Sequence, residues 1–232
     1  MRMAPVEQAA TPLERTRVFI VDDHPIVRQG LAQMLKQEVD LTVCGEAEDS
    51  QQALQAIAEL QPDLVLVDLS LKGGSGLSLV RALKARHSAI PVLVVSMHDE
   101  SLYVERVLRA GARGYIMKHE ATDTMMHAIR RVLRGEIYVS DKMMTQLLGR
   151  FARDTADTGA SALTRLSNRE LEVFRLIGEG HSTRHIAAVL HVSMKTVESH
   201  RAHIKQKLQL HNTGELVRYA MQWVDHGHLD FA

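Results

Sequence analysis

An internal disulfide is excluded at once, because the chain holds a single cysteine, Cys44. Cys44 lies in the apolar run LTVCGEA, where packing is its expected role rather than reaction as a thiol. No apolar stretch approaches the length of a membrane span, so no membrane association is expected. The opening residues MRMAPVEQAATPLERTR lack the apolar core of an export signal, and residues 1–16 read as a short flexible tail. One thiol and no export signal together point to the cytoplasm. Net charge is missing too: 28 basic residues balance 28 acidic ones, which argues against bulk attraction to nucleic acid. The balance fails locally. Residues 181–210 carry Arg184, Lys195, Arg201, Lys205 and Lys207 against Glu198 alone, as a small DNA-reading surface would.

What is present is a patterned, globular sequence, 45% hydrophobic and 24% charged, which excludes a disordered or fibrous chain. Over residues 17–134 strand-like and helix-like segments alternate. RVFIVDD leads to PIVRQGLAQMLKQ, LTVCGEA to SQQALQAIAEL, PDLVLVD to GLSLVRALKAR, IPVLVVS to SLYVERVLRAG, and GYIMK to TDTMMHAIRRVLRG. Five such repeats predict an α/β domain with a doubly wound, five-stranded parallel sheet over residues 17–136. Gly111 and Gly135 stand where helix ends favour a left-handed residue. A further helix, DKMMTQLLGRFAR, and a small polar stretch, ARDTADTGASAL, fill residues 137–165 as helix and linker. Residues 166–232 are helical only and predict a small all-α domain. Within it Ser167 and Glu170 form a capping-box pattern, and Ser193 is placed to cap a later helix.

Four of the strand-like runs end in polar residues: Asp22-Asp23, Asp68, Ser96 and Lys118. In a parallel sheet the C-terminal strand ends share one edge, where ligands bind. Adjacent carboxylates repel unless a counter-charge sits between them, and oxygen ligands of this kind suit Mg²⁺. A screened Asp68 carboxylate could attack phosphorus, with Lys118 and Ser96 stabilising the phosphoryl oxygens. If the aspartates merely capped the following helices, Lys118 and Ser96 would go unexplained.

On these residues, 17–134 resembles the receiver domain of two-component response regulators: paired acids after the first strand, an acceptor after the third, Ser96 after the fourth and Lys118 after the fifth. Tyr115 matches the family's aromatic switch position, and Gly76 the glycine after the acceptor loop. The resemblance implies Mg²⁺ held by Asp22, Asp23, Asp68 and the Ser70 backbone carbonyl. It also implies that Ser70 and His98 flank the path of attacking water and tune phosphoryl lifetime. Two departures stand out. Leu71-Lys72, then Gly73-Gly74, replace a frequent Met-Pro. His119 follows the lysine where the family often has a proline with a cis peptide, so the geometry of that bond is open.

In the last domain STRHIAAVL, a short turn and SMKTVESHRAHIKQKL fit a helix-turn-helix. Ile186, Ala187, Leu190, Val192 and Val197 are spaced to pack its helices together. Lys195, Thr196, Glu198, Ser199, Arg201, Ala202 and Lys205 are left outside, and His200 is assigned to phosphate contact or capping. His181 and His185 have metal-ligand spacing without an evident third ligand. LSNRELEV, Gly180, IAAVL and TVESHRAHIKQKL resemble the LuxR-type helix-turn-helix. The whole chain is therefore similar to NarL/FixJ-type regulators, which implies a transcription factor gated by phosphorylation of Asp68. A sensor histidine kinase and double-stranded DNA are the implied partners, and a homodimer the implied active form. No substrate-pocket signature supports an enzyme. The competing reading is a phosphorelay or protein-interaction module without direct DNA output.

Overall fold

The computed structural model describes residues 15–71, 74–153 and 162–228. The chain divides into two compact units, Met1–Ala152 and Arg153–Ala232.

In the first unit β1 (Thr16–Val21), β2 (Leu41–Ala47) and β3 (Leu64–Val67) alternate with α1 (Pro25–Lys36) and α2 (Ser50–Leu60). A two-residue antiparallel pair, β4 (Ser70–Leu71) and β5 (Gly74–Ser75), follows β3 and has no counterpart in the sequence expectation. Then come α3 (Gly76–Arg86), β6 (Val92–Ser96), α4 (Glu100–Ala110), β7 (Gly114–Met117) and α5 (Thr122–Leu133). The main sheet has the order β2-β1-β3-β6-β7, with every neighbouring pair parallel. Val18–Val21, Leu64–Val67 and Val92–Ser96 are buried throughout, as strands covered on both faces must be. From β1 the chain runs first to one side and then to the other, so the direction of winding reverses between β1 and β3. A crevice opens at such a switch point. Asp22 and Asp68 follow β1 and β3 there, and the Asp68 amide donates to the Val21 carbonyl at 2.8 Å.

The boundaries differ slightly from expectation. β1 begins at Thr16, inside the stretch read as tail, because the Thr16 amide donates to the Asp40 carbonyl at 2.9 Å. Residues 1–14 of that tail and residues 154–161 of the polar linker stretch lie outside the described residues, as do Lys72 and Gly73. The helix predicted beyond the sheet forms as α6 (Asp141–Arg153), and it groups with the first unit rather than with a linker. The reason is visible at its entry. Tyr138 pairs with the β7 edge, accepting from the Tyr115 amide and donating to the Arg113 carbonyl, and Met143 is buried. The Ser140 amide also donates to the Glu100 carboxylate at 2.8 Å.

The second unit contains a 3₁₀ turn (Ala162–Arg165), α7 (Asn168–Gly178), α8 (Thr183–Val189), α9 (Met194–Leu208) and α10 (Thr213–His228). It starts ahead of residue 166 because Leu163 and Leu166 are buried in it. Ser167 and Glu170 make the expected capping box. Phe174, Ile186, Val197, Ile204, Leu216 and Ala220 are fully buried and form its core. α7 and α10 approach so closely that a Cβ added at Gly178 would lie 2.4 Å from the Ala220 carbonyl oxygen. Among the described residues no helix is long and apolar enough to cross a membrane.

Candidate functional site

The sheet edge gathers the residues the strand ends promised. Asp22 and Asp68 are 1% and 3% exposed, and Ser96 is fully buried. Lys118 reaches between the two acids, its Nζ 2.7 Å from Asp22 Oδ2 and 2.8 Å from Asp68 Oδ2. Burial pushes the Asp68 carboxyl above its ordinary value, while Lys118 and a backbone hydrogen bond from Ser70 pull it down. Asp23 Oδ1 is buried without a hydrogen-bond partner, although His24 Nδ1 stands 2.7 Å away. Asp22, Asp23, His24 and Asp68 offer ligand atoms within 4.8 Å of one another. Three convergent carboxylates, one with an orphaned oxygen, fit a hard divalent cation. The sequence reading missed His24. It also missed Arg28, which donates to the Asp22 carbonyl at 2.6 Å and lies 3.5 Å from Glu46.

The Asp68 backbone is fixed from the next helix. The Gly76 amide donates to the Leu69 carbonyl at 2.9 Å, and a Cβ at Gly76 would fall 1.9 Å from the Asp68 carbonyl oxygen. Only glycine permits this approach.

Ser96, His98 and Tyr115 form one cluster. Tyr115 is fully buried, and its hydroxyl donates to the His98 carbonyl at 2.6 Å. Burial pushes the phenol's pKa upward, so it stays a proton donor. The His98 amide donates to Ser96 Oγ at 3.3 Å, and His98 Nε2 is 2.8 Å from Ser70 Oγ. The Lys118 amide donates to the Ser96 carbonyl at 2.9 Å, and no peptide bond among the described residues is cis. The Lys118–His119 bond is therefore trans.

Cys44 is half-buried and donates weakly to the Val18 carbonyl at 3.5 Å; burial raises the thiol's pKa, as suits a packing residue.

In the second unit Ser182 and Ser193 cap α8 and α9. Between these helices His191 adopts a left-handed φ of 50°, and the Val192 amide donates to the Ala187 carbonyl. Arg169 of α7 donates to the Leu190 carbonyl in the same turn. Lys207 bonds Glu170 at 2.6 Å, tying α9 back to α7. Of the expected outer residues Lys195, Glu198, Ser199 and Ala202 are exposed, whereas Thr196 and Lys205 are half-buried. Two expectations change. His200 Nδ1 is buried without a hydrogen-bond partner, and burial lowers the ring's proton affinity, so this nitrogen faces the interior rather than a phosphate. The Arg201 side chain is only 15% exposed and donates to Thr183 Oγ1. Both residues lie on the stripe between buried Val197 and Ile204, a signal the sequence already carried. His181 and His185 stack at 4.4 Å and belong to no group of three potential metal ligands among the described residues.

A parallel-sheet unit with an acidic, lysine-bridged edge, joined to a helix-turn-helix, defines a class of proteins that receive a chemical signal and read DNA. Residues 18–130 match the response regulator receiver domain, and residues 164–220 match bacterial regulatory proteins of the luxR family. The chain is 38% identical over 210 residues to the oxygen regulatory protein NreC of Staphylococcus carnosus, covering 89% of this chain and 97% of that one. The RcsB response regulator of Salmonella typhimurium is 28% identical with a TM-score of 0.60, covering 90% of this chain and 98% of that one. RcsB in complex with DNA superposes with a TM-score of 0.55 at 28% identity, over 89% and 98% of the two chains. The chain belongs to the two-component response regulators that join a receiver domain to a luxR-type DNA-binding domain. Its function is phosphorylation-dependent regulation of transcription.

Proposed function

We propose that this chain works in the cytoplasm, that Asp68 is the phosphoryl acceptor and that its phosphorylation by a sensor histidine kinase drives DNA binding by a homodimer. The observation that carries this is the single lysine bridging Asp68 and Asp22 at 2.8 and 2.7 Å on the open sheet edge. An Asp68 oxygen attacks the donor's phosphorus, the bond from phosphorus to its leaving group breaks, and the acyl phosphate forms. Asp22, Asp23, Asp68 and the Ser70 carbonyl would hold Mg²⁺, which supplies charge neutralisation for the incoming phosphoryl oxygens. Lys118 then turns from the acids to a phosphoryl oxygen, and the Ser96 hydroxyl donates to another.

Ser70 and His98 close over this edge with their 2.8 Å contact and limit the approach of water. Ser96 engaged by phosphate changes its bond with the His98 amide, and Tyr115, held to the His98 carbonyl, follows. The chain serves as acceptor and transducer, without a substrate reaction of its own. DNA contact falls to α9: Lys195 and Lys205 for phosphates, Thr196 and Ser199 beside them, Ala202 at close approach, and Glu198 for a base edge. The test is incubation of wild type and Asp68→Asn with acetyl phosphate and Mg²⁺, followed by mapping of the product by mass spectrometry. Label on Asp68 in the wild type and its loss in the variant are expected. Equal labelling of both proteins contradicts the assignment.

A further inference from the structure

Glu198 is the one acidic residue within residues 181–210, and a carboxylate beside DNA phosphates needs both a neutralising partner and a fixed direction. The structure supplies both through a residue on the other helix of the motif. Thr183 opens α8, directly after the Ser182 cap. Its Oγ1 lies 2.9 Å from Glu198 Oε1 and 2.8 Å from Arg201 Nη1. The guanidinium itself is 3.9 Å from Glu198 Oε1, too far for a hydrogen bond, so the hydroxyl joins the two charged groups.

The direction of this chain is fixed by chemistry. A guanidinium can only donate and an ionised carboxylate can only accept. The hydroxyl therefore accepts from Arg201 and gives its single proton to Glu198. Each bond polarises the next. Threonine is β-branched, which restricts the rotamers from which its hydroxyl can reach both partners. Glu198 keeps its side chain 60% exposed while Oε1 is engaged inward. Oε2 is then the carboxylate oxygen left to accept from DNA, its position restricted by a bond made before DNA arrives.

We propose that Thr183 is a specificity-determining residue: its hydroxyl positions the Glu198 carboxylate so that Oε2 accepts from the amino group of one base, cytosine N4 being the matching donor in the major groove. This presupposes that α9 reads DNA. Thr183 itself need touch neither base nor phosphate. Arg201 acts through it, holding the charge of Glu198 in check rather than contacting the backbone.

The test uses the full chain, treated with acetyl phosphate and Mg²⁺, in binding selections on randomised duplex DNA. Wild type, Thr183→Val, Thr183→Ser, Glu198→Ala and the Thr183→Val/Glu198→Ala double variant are compared. Thr183→Val should relax preference by about tenfold at the same single base pair as Glu198→Ala. The double variant should lose no more at that base pair than Glu198→Ala alone, and Thr183→Ser should keep the wild-type preference. A merely structural role for Thr183 would lower affinity evenly across sequences and leave the motif intact. The inference is overturned if Thr183→Val retains the full preference, or if Glu198→Ala leaves the motif unchanged. If Thr183→Val does not fold, Thr183→Ala and Thr183→Ser, which differ by one hydroxyl, decide in the same way. A wild type that binds DNA but selects no motif removes the inference alone. A phosphorylated wild type that binds no DNA removes the DNA-reading role of α9 with it.

Discussion

Asp22, Asp68 and Lys118 place two carboxylates and one ammonium in a nearly dry crevice. Removing the cation leaves two buried negative charges without compensation. Lys118→Ala should therefore destabilise the receiver by about 3–5 kcal/mol in metal-free buffer. Urea unfolding measures this, and added Mg²⁺ should recover part of the loss. Asp68→Asn keeps an acceptor for Lys118 while removing one costly charge, so it should be neutral or stabilising under the same conditions. The pH dependence follows in sign. Asp68 has a folded-state pKa raised above 3.8, so folding takes up a proton in the window just above that value. Its contribution favours the folded state below the window and is lost as pH rises through it. Mg²⁺ competes for the same oxygens, so Mg²⁺ affinity should weaken as pH falls into that window. Residues at strand ends were legible because short apolar runs stop there. Thr183 was not, since its partners lie 15 and 18 positions away and nothing local marks it. His24 was missed because an exposed histidine before a proline reads as the entry to a helix.

Between Asp68 and the body of α3, the β4–β5 pair leads to Gly76, a stretch too short for any sequence period to show. Its constraint is severe. Gly76→Ala drives a Cβ into the Asp68 carbonyl, and about 1–3 kcal/mol of overpacking strain is expected, with impaired labelling because the acceptor is displaced. Thermal melts and phosphoryl mapping test both halves. Along β6 and β7, Ser96→Ala should still accept phosphate but self-associate less in sedimentation, since the His98 amide loses its Ser96 partner and, on the proposed reading, the link from phosphoryl group to Tyr115 is cut. For α9, the helix period assigned most outward residues well. His200 and Arg201 were misplaced because charge and polarity were weighed above their position between Val197 and Ile204. With Arg201 engaged by Thr183, the exposed Lys195 is the basic residue of α9 proposed for a phosphate contact. Lys195→Ala should flatten the salt dependence of binding by about one unit across all sequences.

At the scale of the whole molecule, the sequence carried the order of the two units and the parallel character of the sheet, because βα alternation and an all-helical tail allow few alternatives. Their boundaries depended on contacts no periodicity reveals. α6 joins the first unit through Tyr138, Ser140 and Met143, and the buried Leu163, ahead of the capped α7, already belongs to the second unit. A chain without net charge cannot rely on diffuse attraction to DNA. On the proposed reading, strong binding comes from pairing two recognition helices on related half-sites, so affinity should depend on dimerisation. The most direct measurement is DNA affinity of the full wild-type and Asp68→Asn chains, at one salt concentration, with and without acetyl phosphate and Mg²⁺. Phosphodonor and Mg²⁺ should tighten wild-type binding to a selected site by at least tenfold, together with a shift from monomer to dimer, and leave Asp68→Asn unchanged. Equal affinity of the phosphorylated and unphosphorylated wild type, or an equal gain by Asp68→Asn, would contradict control of DNA binding through Asp68.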